Sequence, residues 1–182
     1  EFKAVHPGIS IEIREGDDAG VNSMLLRDEI DFGFLDAPAP SGFDSFLIRR
    51  DPFMAVVPEN SPYADMEVVP LSVYNTEATA LYDEGSQKEA MGIFRKNKII
   101  PRVEYTSRDD NLILSLIENS LCIGYMGQLI LTKNSYRVVS RFTEPQFYRE
   151  IMFVVRSIEK ASPAAARFIE FFKNYLAQDN RL

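Results

Sequence analysis

Hydrophobic and polar positions change from a helical to an extended pattern within residues 15–36, EGDDAGVNSMLLRDEIDFGFLD. Residues 20–29 are predicted to form an amphipathic helix, because apolar side chains recur on one face: Val21, Met24, Leu25 and Ile30. Asp17 or Asp18 can cap the free N–H groups at its start. Residues 30–35 form an apolar run typical of a strand covered on both faces, as in a parallel sheet. The stretch is therefore predicted to be a βαβ unit, whose turn lies at the strand edge where open α/β sheets bind ligands.

Further helices, strands and turns are predicted on both sides of this unit. EFKAVHPG is predicted to be the last turn of a helix, ended by Pro7-Gly8, and residues 9–13 alternate as a strand. Residues 46–50 and 53–57 are predicted to be two short strands divided by a turn at Asp51-Pro52. Residues 58–70 carry several prolines and are predicted to connect to a second lobe.

Strand, turn and helix recur in the second half of the chain. Strands are predicted at residues 78–82, 102–106, 121–126, 136–142 and 147–156. Ser86 and Glu89 have capping-box spacing for a helix to about residue 97, and Asp109 or Asp110 can cap the next helix. A short helix is predicted at residues 127–133. The last helix has Ser162 as its cap, Pro163 at its first position and an aromatic stripe typical of a core face: Phe168, Phe171, Phe172 and Tyr175.

Composition narrows the possible functions. The 182 residues carry 20 basic and 27 acidic side chains, a net charge of −7, so this stretch is not expected to bind nucleic acid. A single cysteine, Cys122, and a single histidine, His6, exclude an internal disulfide, a CxxC metal site and a histidine cluster. We expect no metal, no cofactor and no membrane-spanning segment, and a cytoplasmic location.

Five segments occur in the order found in one known family. HPGISIEIREGD, LLRDEIDFGFL, FMAVVPENSPYA, DNLILSLIENSLCIGYM and SPAAARFIEFF resemble the effector-binding (inducer-binding) domain of LysR-type transcriptional regulators. The resemblance covers nearly the whole chain. Three features depart from the family pattern. The family's first strand would lie before Glu1, glycines usually stand where Ser120 and Cys122 are, and proline usually stands where Gly127 is. Asp36 takes a position where some members that respond to aromatic acids have a cation.

The resemblance implies an α/β fold of two Rossmann-like lobes with type 2 periplasmic-binding-protein architecture. Lobe I would comprise residues 1–70 plus 143–182, lacking its first strand, and lobe II residues 71–142. An effector would bind in a cleft between the lobes, lined by the carboxyl ends of strands. Homodimers, and tetramers in some members, would transmit the signal to a winged helix that would precede Glu1, which makes DNA a partner only through that domain. The helix at residues 20–29 is the expected dimer contact of lobe I.

Each candidate ligand contact lies at the end of a predicted strand or in the turn after it. The candidates are Asp17, Asp18, Asp36, Ala37, Asp83, Gly85, Ser86, Thr106, Ser107, Arg108 and Gln128. Asp17 and Asp18 can instead be helix caps, and Asp36 and Ala37 can be exposed loop. A helix start at Gly85–Ser86 suits an anion if Arg108 neutralises Asp83, although Arg108 can equally pair with Asp109 or Asp110.

Two other functions fit parts of the pattern. A free-standing type 2 solute-binding protein would share the fold but would carry a leader peptide, which is not seen near the start. An enzyme could use Asp17, Asp36 and Asp83 as paired carboxylates, yet no nucleophile, histidine or phosphate-binding glycine run accompanies them. We therefore expect no catalytic residues. The surplus of acids favours a cationic, zwitterionic or neutral small molecule.

Overall fold

The computed structural model describes residues 1–83, 86–132 and 135–179. In chain order its elements are α1 (Phe2–Val5), α2 (Asp18–Leu26), β1 (Phe32–Asp36), β2 (Asp44–Pro58), β3 (Val68–Pro70), a 3₁₀ turn (Leu71–Asn75), β4 (Ala78–Tyr82), α3 (Ser86–Lys96), β5 (Arg102–Ser107), α4 (Asp110–Glu118), β6 (Ile123–Gly127), α5 (Gln128–Leu131), β7 (Val138–Glu144), β8 (Tyr148–Val155) and α6 (Pro163–Asp179).

The chain divides into two compact units. Unit 1 comprises Glu1–Arg50 and Glu150–Leu182, and unit 2 comprises Asp51–Arg149. The lobe boundaries expected from the resemblance, 1–70 plus 143–182 and 71–142, stay a prediction. Helices and strands alternate through most of the described chain, which confirms the α/β class.

Unit 1 is built on a small antiparallel arrangement and the last helix. β8 lies between β1 and β2, and in the β1–β8 ladder Phe32 is opposite Val155. The Phe32 ring stacks on Phe153 and Phe168, with centroids 4.9 and 4.6 Å apart. Phe168 and Phe172 of the α6 stripe are partly buried in this cluster, whereas Tyr175 is 38% exposed, so the stripe is only in part a core face. Ser162 Oγ accepts a hydrogen bond from the Ala165 N–H at 3.2 Å, so the predicted cap of α6 is confirmed.

The predicted βαβ unit at residues 15–36 is wrong in two respects. Residues 9–13 form no strand, and Ile13 is 83% exposed. A strand needs a neighbour to accept and donate its backbone hydrogen bonds, and none of the described strands pairs with this segment. The second strand, β1, does form, but it pairs antiparallel with β8 and leaves Phe34 exposed. The helix between them is confirmed as α2, capped by Asp17, whose Oδ1 accepts the Gly20 N–H at 2.7 Å.

The predicted turn at Asp51-Pro52 is also wrong. β2 runs unbroken from Asp44 to Pro58. Pro52 cannot donate a ladder hydrogen bond, but the registered pairing of β2 with β6 begins only at Phe53. The Asp51 side chain is buried and engaged with groups of unit 2, so this dipeptide lies inside a strand and does not form a surface turn.

Unit 2 carries the parallel sheet that the second half of the sequence predicts. β4 pairs parallel with β5 and with β6, and β2 adds to the other side of β6 in antiparallel direction. One core cluster packs Phe94 of α3 against Tyr74 and Tyr125. A second cluster packs Ile113 and Ile117 of α4 with other side chains of the sheet. Short β3, inside the predicted connection, pairs parallel with β7.

Candidate functional site

Three parallel strands of unit 2 end at the same edge of the sheet. β4 lies between β6 and β5, and Tyr82 is in register with Ser107 at their carboxyl ends. Parallel strands place the residues that follow them along one edge, where open α/β sheets bind ligands. We call five of these residues the unit 2 rim: Asp83, Thr106, Ser107, Arg108 and Gln128.

Hydrogen bonds and an ion pair order the part of the rim that follows β4 and β5. The Asp83 N–H donates to the Ser107 carbonyl at 2.9 Å. Ser107 Oγ accepts from the Asp109 N–H at 2.9 Å, and Arg108 Nε lies 3.9 Å from Asp83 Oδ2. Both charged side chains are exposed, so this pair adds little stability. The cation therefore lies where it offsets the Asp83 charge, as the sequence suggested.

Gln128 occupies the end of the rim that follows β6. It is half-buried and begins the short helix α5 directly after Gly127. Its amide can donate and accept hydrogen bonds at once. Thr106 is exposed and Ser107 is half-buried, so hydroxyl and amide groups are present along the same edge. The part these residues play in ligand binding stays a prediction.

A buried ion pair lies beside Gln128, and sequence analysis missed it. Asp51 is 0% exposed, and its Oδ2 accepts from Arg149 Nε at 2.9 Å. Its Oδ1 accepts from the Leu129 N–H at 3.0 Å. A Cβ on Gly127 would overlap Asp51 Oδ2 and would lie 2.8 Å from Arg149 Nη2. Gly127, which stands where the family usually has proline, therefore leaves room for this pair. The sequence held no short-range signal for it, because the partners are 98 residues apart.

Asp110, in the first turn of α4, lies within electrostatic reach of Arg149. Its Oδ1 is enclosed and has no hydrogen-bond partner within residues 1–83, 86–132 and 135–179. Burial raises the pKa of the Asp110 carboxyl, the Arg149 charge lowers it and the Asp109 charge raises it, with a net upward shift. Asp109 itself caps α4, its Oδ1 accepting from the Asn111 N–H at 2.8 Å. One of the two predicted caps is thus identified.

Replacing Asp110 by asparagine should change how stability depends on pH. A carboxyl whose pKa is raised by folding favours the folded state most below its unfolded pKa, and this contribution is lost as the pH rises through the folded pKa. Asp110→Asn has no carboxyl to ionise, so it does not undergo this loss. Its free energy of unfolding relative to that of the parent should therefore rise between pH 4 and pH 7. The rise should be no more than about 1 kcal/mol, because the carboxyl of the parent keeps some hydration. Urea unfolding at both pH values measures this, with exposed Asp65→Asn as control. A gain of equal size in both variants would contradict the burial argument.

Candidate residues of unit 1 lie at the start of α2 and at the end of β1. Asp17 caps α2 and Asp18 lies in its first turn, and both side chains are exposed. Asp36 ends β1, and the Ala37 N–H donates to the Glu150 carbonyl at 2.8 Å. In unit 2, Ser86 begins α3, whereas Gly85 lies outside the described residues. Ligand contact by any of these residues stays a prediction.

The described residues offer few other reactive groups. Burial raises the pKa of the Cys122 thiol to about 11, so the thiol is protonated at neutral pH and is a poor nucleophile. No group of three or more histidine, cysteine or acidic side chains that could hold a metal ion occurs in the described ranges. Over the same part of the chain, no helix has both the length and the apolar character needed to cross a bilayer.

A family model described as the LysR substrate binding domain matches residues 1–177. The chain belongs to this family. A relative, the uncharacterized HTH-type transcriptional regulator YvbU of Bacillus subtilis (strain 168), is 26% identical over 175 residues, which are 95% of this chain and 60% of that protein. The LysR domain described here thus spans 60% of the length of that relative.

Several solved structures share this fold. The Synechocystis PCC6803 CcmR regulatory domain in complex with 2-PG has a TM-score of 0.88 at 14% identity, covering 96% of this chain and 87% of that one. The BenM effector binding domain with its effector benzoate has a TM-score of 0.85 at 19% identity, covering 100% and 85%. The predicted LysR-type effector domain and its type 2 periplasmic-binding-protein-like fold are therefore confirmed.

Proposed function

We propose that this LysR domain binds a small-molecule effector at the unit 2 rim and controls DNA binding by a winged helix elsewhere in a longer protein. The observation that carries the proposal is the ordered polar edge at the ends of β4, β5 and β6, in a chain matched by the family over residues 1–177. Asp17, Asp18, Asp36 and Ala37 of unit 1, with Gly85 and Ser86, are proposed as further contacts.

The charge around the rim supports a particular class of effector. Arg108 pairs with Asp83 and Arg149 pairs with buried Asp51, so the adjoining Asp109 and Asp110 leave negative charge in excess at the end of the rim that follows β5. A bare anion such as benzoate is repelled by such a surplus, whereas an ammonium group is attracted. The proposed effector is therefore cationic, zwitterionic or neutral, with groups that hydrogen-bond to Ser107 and Gln128.

The proposed mechanism is a shift between two conformations. An effector changes their populations only by the difference between its affinities for the two. A shift from 1:99 to 99:1 needs about a 10⁴-fold difference in affinity. A rim whose side chains are already ordered raises the affinity of the conformation that presents it, since less conformational entropy is lost on binding.

A thermal-shift screen tests effector binding. The chain is heated with individual amino acids, amines, benzoate and 2-PG at millimolar concentration. A ligand at about 100 times its Kd stabilises the folded state by about 2.7 kcal/mol. We expect amino acids or amines to raise the midpoint by several degrees and benzoate to leave it unchanged. A rise with benzoate or 2-PG alone would contradict the proposed ligand class.

The chain is further proposed to form a homodimer, from which tetramers of the longer protein would be built. One exposed apolar side chain of α2 and an exposed apolar pair on the β3–β7 ladder support this. Leu26 at the end of α2 is 56% exposed, and on the β3–β7 ladder Val68 lies in register with Phe142, which is 45% exposed. Exposed apolar groups that cluster mark protein contacts more often than single ones do.

Replacing Phe142 by serine should weaken the dimer about tenfold or more, as truncation of an aromatic contact residue commonly does. Light scattering at micromolar concentration measures the mass. The control Ile100→Ser alters another apolar residue, which is 82% exposed and lies outside α2 and the β3–β7 ladder. It should leave the mass unchanged. A parent chain that is monomeric, or equal weakening by both variants, would contradict the proposed dimer.

A cytoplasmic, non-enzymatic role completes the proposal. The net charge of −7 opposes DNA binding by this domain alone, so DNA contact is assigned to the winged helix. Turnover of a bound ligand that is lost in Asp83→Asn with the fold intact would support an enzyme instead. A cleavable leader encoded by the gene would support a free solute-binding protein.

A further inference from the structure

The buried pair of Asp51 and Arg149 is an unusual feature of unit 2. Asp51 has no exposed side-chain surface, and the Arg149 side chain is 14% exposed. Removing two charges from water is costly, and a buried ion pair is often no more stabilising than apolar side chains of similar volume. The pair is therefore weak evidence for stability alone, and its contacts point to what else it does.

Asp51 satisfies a backbone group that α5 cannot satisfy itself. The first N–H groups of a helix have no acceptor within the helix. In α5 the N–H of its second residue, Leu129, donates to Asp51 Oδ1 at 3.0 Å, while Oδ2 accepts from Arg149. Asp51, which lies on β2, thus supplies the acceptor that α5 lacks, and Arg149 fixes the rotation of the Asp51 carboxylate.

The turn from β6 into α5 rests directly on this pair. The space where a side chain of Gly127 would begin is filled by the Asp51 carboxylate and the Arg149 guanidinium. Gln128 lies between Gly127 and Leu129, so its backbone is constrained on both sides. A change in the pair would therefore reorient Gln128 before it affected residues further along the rim.

We propose that Asp51 and Arg149 are positioning residues of the effector site: their buried pair holds the turn Gly127–Leu129 and so fixes the direction of Gln128 on the unit 2 rim. The importance of the Gln128 direction for effector binding rests on the proposed function. The positioning itself can be tested without any ligand, so a failure to find an effector and a failure of this inference are separate results.

The test removes the pair without leaving a lone buried charge. The double variant Asp51→Leu with Arg149→Met replaces both partners by apolar side chains. The matched control, Arg50→Met with Glu150→Leu, removes the neighbouring pair, whose N–O distance is 3.3 Å and whose side chains are 61% and 46% exposed. A second variant, Asp51→Asn with Arg149→Met, keeps an oxygen that can accept from Leu129 and serves also if the first does not fold.

Hydrogen exchange of individual amides, measured by NMR together with urea unfolding, is the readout. In the apolar double variant we expect exchange at Leu129 to accelerate about tenfold, as loss of one hydrogen bond implies. Exchange at Tyr125 and Ile113 and the unfolding midpoint should stay unchanged. The asparagine variant should recover part of the protection, and the control should match the parent throughout. Unchanged exchange at Leu129, or uniform acceleration with a lower midpoint, would overturn the inference.

Discussion

Replacing Arg149 alone by methionine should lower the free energy of unfolding by about 3–5 kcal/mol, because it leaves the Asp51 carboxylate buried without its cation. The partner is fully buried and cannot regain water without moving β2 or α5. Urea unfolding at neutral pH measures the change. The loss should exceed that of the double variant Asp51→Leu with Arg149→Met, since the two substitutions act on one contact and are not additive.

The neighbouring residue Arg50 provides the control for this prediction. Its ion pair with Glu150 joins the same two strands but is exposed, and such pairs contribute about 0–1 kcal/mol. Arg50→Met should therefore change stability by less than about 1 kcal/mol. Equal losses in the two single variants would show that burial of Asp51 does not decide the energetics.

Replacing Phe94 by alanine should cost about 3–5 kcal/mol, the usual range for deleting a buried phenylalanine. Phe94 of α3 is 0% exposed, and its ring lies 4.9 Å from Tyr74 and 5.2 Å from Tyr125, measured between centroids. Tyr125 belongs to β6, the strand that leads to Gln128. The substitution leaves a cavity beneath this strand, which the neighbouring rings cannot fill without shifting.

Denaturant unfolding of Phe94→Ala and of Ile100→Ala tests this cavity argument. Ile100 is 82% exposed, so its truncation should change stability by about 0.5 kcal/mol or less. Comparable losses in the two variants would contradict the assigned core of unit 2. A much smaller loss for Phe94→Ala alone would mean that the aromatic cluster collapses into the space.

Local signals explain why much of unit 2 could be predicted from sequence. The α4 cap at Asp109 and the strand Ala78–Tyr82 follow from residues within one turn or one strand, so neighbouring sequence determines them. The candidates Asp83, Ser107 and Arg108 were found because each directly follows such a strand. Only the contact of Ser107 with Asp109 is local, whereas the contacts of Asp83 with Ser107 and Arg108 depend on the pairing of β4 with β5.

The errors have the opposite origin. Residues 9–13 carry a good strand pattern, but a strand depends on a partner that the pattern does not specify. The Asp51-Pro52 dipeptide is typical of turns, yet Asp51 is held inside β2 by Arg149 and Leu129, far away in sequence. The same separation in sequence is why Asp51 and Arg149 were not among the predicted site residues. Contacts between residues that are distant in sequence therefore explain both the wrongly predicted turn and the positioning contact that was not predicted.

Mapping a bound ligand by NMR tests whether the effector binds at the unit 2 rim. Amide resonances of the chain are recorded while the strongest stabilising amino acid or amine from the thermal screen is added. We expect saturable shifts at Asp83, Ser107, Arg108 and Gln128. They should be reduced in Gln128→Ala but kept in Ser72→Ala, which alters an exposed serine outside the rim. Failure of every compound to shift these amides, or saturable shifts confined to other residues, would contradict the account.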